Sequence, residues 1–245
     1  SSGDFTNTND LRQSQYNKYQ RILDTIDIKD GDKVLEIGCG WGGFAEHLLE
    51  KKDVEYRGIT ISNEQLKFAE QRLRKISDKE DFVHFQDYRD LKGQYDKIVS
   101  IEMFEAVGQK HWVAYFDQVK KRLKENGQAS IQVITINPAR FEKYSNNVDF
   151  IQKYTFPGGM LPTEELFVKH ANDAGLKVNS IYNFGKCYAE TLRRWREKFL
   201  EQKNNLSDFG LDERFYRMWL YYLEYCEVGF DHETIDVAQF TLGHN

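Results

Sequence analysis

The 245-residue sequence contains little cysteine, little proline and no long apolar run. Its three cysteines, Cys39, Cys187 and Cys226, are far apart, which excludes a disulfide framework and favours the reducing cytosol. No apolar run approaches the roughly 20 residues of a membrane-spanning helix, which excludes an integral helical membrane protein. Positive charge is also in deficit, with 34 Lys and Arg against 39 Asp and Glu. The net charge of −5 argues against a nucleic-acid partner, because phosphate neutralisation needs a basic face.

The apolar pattern up to residue 136 alternates between helices and short buried strands. Strands are predicted at 33–37, 54–61, 83–86, 97–102 and 129–136, and helices at 11–27, 44–52, 63–76 and 111–123. Asn126-Gly127 indicates a C-terminal cap for the last of these helices. Because strands that alternate with helices pair in parallel, this order predicts an α/β fold with a parallel sheet covered by helices.

Residues 137–163 break this alternation, since they contain all three prolines and a Gly-Gly pair. We interpret them as an insertion over the mouth of the sheet. Beyond them, the sequence predicts a helix at 164–174, a closing strand pair at 176–184 and 235–242, and aromatic-rich helices at 191–202 and 213–230. The economical interpretation is one domain, 1–245, with an N-terminal helical segment (1–30), a ligand-binding core (31–136), the insertion (137–163) and a C-terminal covering part (164–245). Because the sequence begins at Ser1 rather than Met, we expect an upstream segment.

The strongest motif is VLEIGCGWGG at 34–43, where a buried strand enters a glycine-rich turn that precedes a helix. Gly38 and Gly40 can adopt positive φ and let a ligand approach the backbone closely, and Rossmann-like sheets bind ligands at this turn. The spacing alone leaves a nicotinamide or flavin dinucleotide, or a simple tight turn, as alternatives. Glu36 favours a sulfonium ligand with an α-amino group over a pyrophosphate. The segment 87–89 follows the third strand, where adenine commonly binds.

Several segments together resemble the cyclopropane-fatty-acyl-phospholipid synthase family over essentially the whole chain. They are EIGCGWGGFA (36–45), GITISNEQ (58–65), QDYRD (86–90), SIEMFEAVG (100–108), YTFPGGMLP (154–162) and YLEYCEVGF (222–230). The resemblance implies a class I methyltransferase fold with a Rossmann-like, mostly parallel seven-stranded sheet, and S-adenosylmethionine (SAM) as cofactor. It also implies the substrate, an unsaturated fatty acyl chain that is usually part of a membrane phospholipid. Some members add a methyl group without closing a cyclopropane ring.

By position, the resemblance implies contacts to SAM from the glycine loop and from the segments that follow the second, third and fourth strands. Together with Glu36, the predicted cofactor-binding residues are Gly38, Gly40, Trp41, Thr60, Ile61, Gln65, Asp87, Tyr88, Arg89 and Ile101. For Thr60 and Gln65, an ordinary strand-to-helix connection with an N-cap is the alternative interpretation. No metal site is predicted.

The family's catalytic site is described as a bicarbonate ion held by five groups. The resemblance assigns these groups to Ser2, Glu105, Gln132, Ile134 and Tyr188. Two of the five differ from the family, because Ser2 stands in the place of a cysteine and Gln132 in the place of a histidine. Bicarbonate binding is therefore left open at this stage.

The two changed groups bear on the product of the reaction. Methyl transfer to an alkene leaves positive charge on the other alkene carbon, and the proton removed next decides the outcome. Loss from the new methyl closes a cyclopropane, whereas loss from a neighbouring chain carbon gives a methyl-branched alkene. Because Gln132 cannot carry charge at neutral pH as histidine can, we expect a methyl-adding enzyme or a differently held base. Glu105→Gln is expected to abolish turnover and spare SAM affinity, with Glu102 as the local competitor for the role of Glu105.

Two other functions share these motifs. A methyltransferase of a small natural-product nucleophile would have every cofactor motif but a smaller and more polar pocket. A non-catalytic SAM- or lipid-binding relative is suggested by Ser2 and Gln132, whereas the retained Glu105 and Tyr188 argue against it.

An enzyme that acts on lipid must touch the bilayer, and anionic lipids attract Lys and Arg. Two basic clusters on predicted helices are candidates for this contact, with solvated helix faces as the alternative. The clusters are Arg193, Arg194, Arg196 and Lys198, and Lys120, Lys121, Arg122 and Lys124. We expect a cytoplasmic protein with peripheral contact at the inner membrane face, and a homo-oligomer is left open.

Aromatic residues are abundant for so hydrophilic a chain, with 17 Phe, 14 Tyr and 4 Trp at a mean hydropathy of −0.69. Thirteen of them lie in the insertion or in the last 35 residues: Phe141, Tyr144, Phe150, Tyr154, Phe156, Phe215, Tyr216, Trp219, Tyr221, Tyr222, Tyr225, Phe230 and Phe240. Because an acyl chain needs rigid apolar walls and ring faces attract a carbocation, these rings are predicted to line a substrate channel, with Tyr188 nearest the chemistry. Simple filling of the core between two long helices is the alternative.

Overall fold

A computed structural model of the protein describes residues 1–77 and 81–245. Within these ranges one sheet contains β1 (Lys33–Ile37), β2 (Glu55–Thr60), β3 (Val83–Phe85), β4 (Tyr95–Ile101), β5 (Leu123–Ile136), β6 (Leu176–Asn183) and β7 (Ile235–His244). The order across the sheet is β3-β2-β1-β4-β5-β7-β6. Strands β1 to β5 pair in parallel, whereas β7 is antiparallel to both β5 and β6. The predicted α/β sheet and its closing strand pair are confirmed.

The helices surround this sheet and fill the predicted insertion. They are α1 (Leu11–Thr25), α2 (Gly43–Leu49), α3 (Asn63–Leu73), α4 (Trp112–Arg122), α5 (Pro138–Ser145), α6 (Phe150–Tyr154), α7 (Glu164–Asp173), α8 (Gly185–Glu201) and α9 (Glu213–Asp231). Helices α5 and α6 lie in the segment 137–163. Among the helices of the two described ranges, none is long and apolar enough to cross a bilayer.

The sheet is buried on both of its faces. Val34 of β1 belongs to a core shared with α1, α2 and α3, whereas the next residue, Leu35, belongs to a core shared with α4 and α7. Both side chains are fully buried. Burial on alternate faces is what a central strand of a parallel sheet requires, and it explains the continuous apolar run of β1.

Strand β5 starts earlier than the sequence predicted. Helix α4 ends at Arg122 and β5 begins at Leu123, so Asn126-Gly127 lies within the strand and the predicted helix cap is wrong. Leu123 is fully buried and pairs with Tyr95 of β4. Burial of that side chain outweighs the local turn signal, and a register shift in the ladder after Tyr95 accommodates the extra length.

Helix α8 also starts earlier, at Gly185 rather than at the predicted residue 191. The Gly185 amide donates to Asp236 Oδ1 of β7 at 2.8 Å, and a Cβ atom at Gly185 would lie 2.3 Å from the same oxygen. The partner that fixes the first turn is 51 residues away, so the local pattern could not reveal it. The earlier start places Tyr188 in the first turn of α8.

Candidate active site

The glycine loop after β1 lies at the carboxyl end of the parallel strands. Gly38 and Gly40 have φ angles of +80° and +54°, as their residue type predicted. The amides of Gly38 and Cys39 both donate to the Ile59 carbonyl at 3.0 Å. A Cβ atom on Gly38 would lie 2.6 Å from Met103 Cγ. Glycine is therefore required at position 38 by the backbone conformation and by packing, and it leaves room for close approach of a ligand.

Thr60 and Gln65 form the connection between β2 and α3. Thr60 Oγ1 donates to Gln65 Oε1 at 2.8 Å, and Ser62 Oγ caps α3 by accepting from the Gln65 amide at 3.3 Å. These local bonds account for both side chains, so their role in binding SAM stays a prediction. Ile61 and Trp41 are 71% and 53% exposed at the same edge of the sheet, which leaves their apolar surfaces available to a ligand.

Asp87, Tyr88 and Arg89 follow β3 in a short turn at this same edge. The Asp87 carboxylate accepts from Arg89 Nη2 at 2.6 Å and from Nε at 3.0 Å, and this bonding lowers the pKa of Asp87. The Tyr88 ring packs against Tyr115 with 5.6 Å between centroids. Since Ile101 ends β4, the predicted SAM-binding residues all lie at or beside the ends of β1 to β4, where ligands of such sheets bind.

Glu36 is buried within β1, with only 2% of its surface exposed. Its carboxyl accepts from Tyr56 OH at 2.5 Å. Burial raises the pKa of Glu36 to about 8, against the opposing effects of the Tyr56 hydrogen bond and the charge of Lys18. The carboxyl is therefore mainly neutral at neutral pH, and a nearby cation such as an α-ammonium group would favour its ionised form.

A second polar cluster is centred on Glu102, directly after β4. The Glu102 carboxylate accepts from Gln132 Nε2 at 2.7 Å, from Tyr188 OH at 2.7 Å and from the Ser2 amide at 3.2 Å. Glu102 has a φ of +52°, a left-handed conformation that residues with a side chain adopt uncommonly. Three of the residues predicted to surround bicarbonate therefore surround a carboxylate of the chain itself.

Strands β5 and β7 and helix α8 hold the donors in place. Gln132 is fully buried on β5, directly opposite Gln239 of β7, and Gln239 Nε2 donates to Gln132 Oε1 at 3.1 Å. Burial and the Glu102 carboxylate raise the pKa of Tyr188 far above its usual value, so its hydroxyl stays a donor. No sequence motif includes Gln239, and its partner is 107 residues away, so local patterns could not reveal its contact with Gln132.

Glu105 lies beside this cluster and has a different set of contacts. Its Oε1 accepts from the Ile134 amide at 2.6 Å, whereas its Oε2 is buried and has no hydrogen-bond partner in the described part of the chain. Burial and the neighbouring Glu102 raise the pKa of Glu105 to about 8. Burial thus favours the neutral form of Glu105. Glu102, which the sequence indicated only as a competitor, accepts three hydrogen bonds that fix the position of its carboxyl group.

A cavity of about 1300 Å³ extends from the Glu102 cluster. Glu102, Glu105 and Tyr188 line it on one side, and the insertion, α8 and α9 supply most of the other walls. Of the thirteen aromatic residues predicted to line a channel, five do so: Tyr144, Phe156, Tyr222, Tyr225 and Phe230. Phe240 instead belongs to the core beneath α4 and α7. Some of the thirteen aromatic residues therefore line the cavity, as predicted, and at least one fills the core, as the alternative interpretation holds.

Comparison with known proteins agrees with this geometry. The family described as mycolic acid cyclopropane synthetase matches residues 3–240. Tuberculostearic acid methyltransferase of Mycobacterium tuberculosis is 38% identical over 95% of this chain, and cyclopropane-fatty-acyl-phospholipid synthase of Escherichia coli is 37% identical over 94%. The chain spans 55% and 58% of the lengths of these two relatives, respectively.

A solved structure supports the same fold. A mycolic acid cyclopropane synthase in complex with S-adenosylhomocysteine and the detergent CTAB superimposes with a TM-score of 0.91 at 27% identity, over 99% of this chain and 88% of that one. The predicted class I methyltransferase fold is confirmed.

Proposed function

The chain belongs to the mycolic acid cyclopropane synthetase family, and we propose that it is a SAM-dependent C-methyltransferase acting on the double bond of an unsaturated fatty acyl chain. The observation that carries this proposal is the Glu102 cluster at one side of a large cavity with mostly apolar walls. The small-nucleophile alternative predicts a smaller and more polar pocket. We further propose that the acyl chain is part of a phospholipid and that the protein contacts the inner membrane face peripherally.

The proposed reaction needs a base next to an alkene. SAM, when bound, would supply an electrophilic methyl group: the alkene π electrons would form the new carbon–carbon bond as the sulfur–methyl bond breaks, and the neutral thioether S-adenosylhomocysteine would leave. The other alkene carbon becomes a cation, and the Glu102 carboxylate accepts the proton whose loss discharges it. Gln132, Tyr188 and the Ser2 amide hold that carboxylate in position. The Phe230 and Tyr188 rings, stacked with 4.4 Å between centroids, supply aromatic surface nearby.

Bicarbonate does not fit this arrangement. Three of the groups that the resemblance assigns to the ion donate to Glu102 instead. A bicarbonate ion among them would lie against a second anion and would have to compete for the same donors. We therefore assign no step to bicarbonate, and the Glu102 carboxylate takes the role that the resemblance gives to the ion.

We propose that the product is a methyl-branched alkene rather than a cyclopropane. The Glu102 carboxylate is covalently part of the protein, so it cannot shift along the acyl chain as a small ion can. The position of this carboxylate therefore selects which proton is removed from the substrate. The relative from Mycobacterium tuberculosis is named a tuberculostearic acid methyltransferase rather than a cyclopropane synthase, which supports this choice.

Product analysis tests the proposed function. The purified protein is incubated with methyl-labelled SAM and vesicles of a cis-monounsaturated phosphatidylcholine, and the acyl chains are released and analysed by mass spectrometry. We expect label in the acyl chain and the mass gain of one CH₂ group. Because both products have that mass, mild hydrogenation distinguishes them: the branched alkene takes up two hydrogens, whereas the ring does not. A product that resists hydrogenation would contradict the proposed branching, and an unlabelled acyl chain would contradict methyl transfer.

A further inference from the structure

The cavity reaches solvent at a defined rim. Several residues both line the cavity and are exposed, and they come from α5, the segment 147–157 and α9. We call this set the cavity mouth: Arg140, Lys143, Val148, Phe156, Tyr225 and Val228. Glu102 and Tyr188, in contrast, lie deep in the same cavity, and Tyr188 is only 6% exposed. A molecule that fills the cavity therefore has one end at the reaction centre and the other at this mouth.

The mouth carries two cations without partners. Arg140 and Lys143 are three residues apart on α5, so their side chains share one face of the helix. Neither side chain forms an ion pair or a hydrogen bond with any residue of 1–77 or 81–245. Asp149, an acidic residue of the same lining, caps α6 by accepting from the Gln152 amide.

The basic clusters indicated by the sequence are engaged elsewhere. Arg193, Arg194 and Arg196 form ion pairs with acidic side chains of α8 and α9. In the other cluster, Lys120 donates to the Gly175 carbonyl and Lys124 pairs with Asp96. Most of these charges are therefore neutralised or bonded within the protein, and the cations at the cavity mouth are better placed to meet an anion.

Exposed apolar side chains belong to the same cavity mouth as the two cations. Val148 is 72% exposed and Phe156 is 53% exposed. Cations next to exposed apolar groups are typical of surfaces that lie in a membrane interface, where the cations meet lipid phosphates and the apolar groups enter the acyl boundary. Resting on the proposed function, we propose that the cavity mouth docks on an anionic phospholipid bilayer, with Arg140 and Lys143 binding headgroup phosphate while an acyl chain enters the cavity.

Vesicle sedimentation tests this docking surface. The double variant Arg140→Glu/Lys143→Glu is compared with Lys110→Glu/Lys121→Glu, which makes the same charge change at two exposed lysines outside the cavity lining. Vesicles contain phosphatidylcholine and phosphatidylglycerol at low salt. We expect the mouth variant to bind at least about tenfold more weakly than the control variant. Equal binding by the two variants would overturn the proposal.

A second substrate separates this surface from the proposed function. The activity of the mouth variant should fall much more on vesicles than on a short-chain, monomeric unsaturated acyl substrate, because the monomeric substrate needs no bilayer. A parallel loss on this substrate would show that the two cations act on the reaction rather than on docking, and would overturn the proposal. If even the wild-type protein methylates neither substrate, the proposed function fails, whereas the vesicle comparison still decides the docking surface.

A second inference rests on different contacts, those of Gln239. A carboxylate can only accept, so the bond to Glu102 requires the NH₂ group of Gln132 to face it and the Gln132 carbonyl oxygen to face β7. That oxygen accepts from Gln239 Nε2, and Gln239 is only 4% exposed. We infer that Gln239 is a positioning residue that fixes the amide of Gln132 and thereby aims the Glu102 carboxylate.

Replacing Gln239 with methionine tests this inference. Methionine has a similar length but no hydrogen-bond donor, so nothing would fix the Gln132 carbonyl oxygen toward β7, and the Gln132 donor to Glu102 would be held less well. We expect kcat to fall at least about tenfold, with KM for SAM within about twofold and a changed ratio of branched to cyclic product. Thr241→Val, which alters a buried polar residue two positions along β7, should leave the ratio unchanged. A lower rate with an unchanged product ratio in Gln239→Met would indicate a merely structural role and overturn the inference.

Discussion

Replacing Glu102 with glutamine is expected to reduce turnover by at least about 100-fold, the usual contribution of a general base. Glutamine is close to glutamate in shape, so the change removes the ability to accept a proton more than it alters packing. SAM affinity should stay within about threefold, because Glu102 follows β4 and bonds to Gln132 and Tyr188 rather than to the glycine loop. Single-turnover kinetics and calorimetric titration with SAM measure the two effects separately.

Glu105→Gln is the matched control for this experiment. Since burial raises the pKa of Glu105 to about 8, its carboxyl is already mainly neutral at pH 7, and an amide can still accept from the Ile134 amide. We therefore expect a much smaller loss than the sequence alone suggested. If Glu105→Gln is the inactive variant and Glu102→Gln turns over normally, the proton is removed at Glu105 and the present assignment is wrong.

Replacing Gly38 with alanine is expected to weaken SAM binding by about 100-fold. The φ of +80° costs an L-residue roughly 1–3 kcal/mol, and the new Cβ would lie 2.6 Å from Met103 Cγ. Relief of both strains requires the loop to move away from the position in which it accepts a ligand. Titration calorimetry with SAM measures the loss directly.

Gly31→Ala is the control that distinguishes a general loss of stability from a specific loss of SAM affinity in Gly38→Ala. Gly31 has a similar φ of +85°, and a Cβ there would meet nothing within 4 Å. Both variants should lose stability in urea denaturation, Gly38→Ala the more because of its added contact with Met103, but only Gly38→Ala should lose affinity for SAM. Normal SAM binding by a folded Gly38→Ala protein would show that the glycine loop does not hold the cofactor.

Local patterns in the sequence were sufficient for most of the fold. The apolar run of β1 and the glycines after it predicted both a buried strand and its turn, because their causes lie within ten residues. The start of β5 could not be predicted in this way, since Leu123 is buried by a pairing with β4. The same limit applies to α8, whose first turn is fixed by Asp236.

The active site was likewise predictable only where its residues belong to local motifs. Motif positions predicted Gln132, Tyr188 and Ser2 as members of one site, and the structure brings them together. What they bind could not be read from the sequence, because Glu102 is 30 residues from Gln132 and 86 from Tyr188. Gln239 lies outside every motif, so its contact with Gln132 required the pairing of β5 with β7.

The attachment of the Glu102 carboxylate to the backbone has a consequence for how the protein depends on its surroundings. If the base is a dissociable ion, the fraction of enzyme molecules that contain the base depends on the concentration of that ion in solution. A base that is a side chain is present once in every folded molecule, whatever the supply of dissolved inorganic carbon. The cost of this independence is the uncommon backbone conformation of Glu102, with a φ of +52°, which the surrounding fold must stabilise in every molecule.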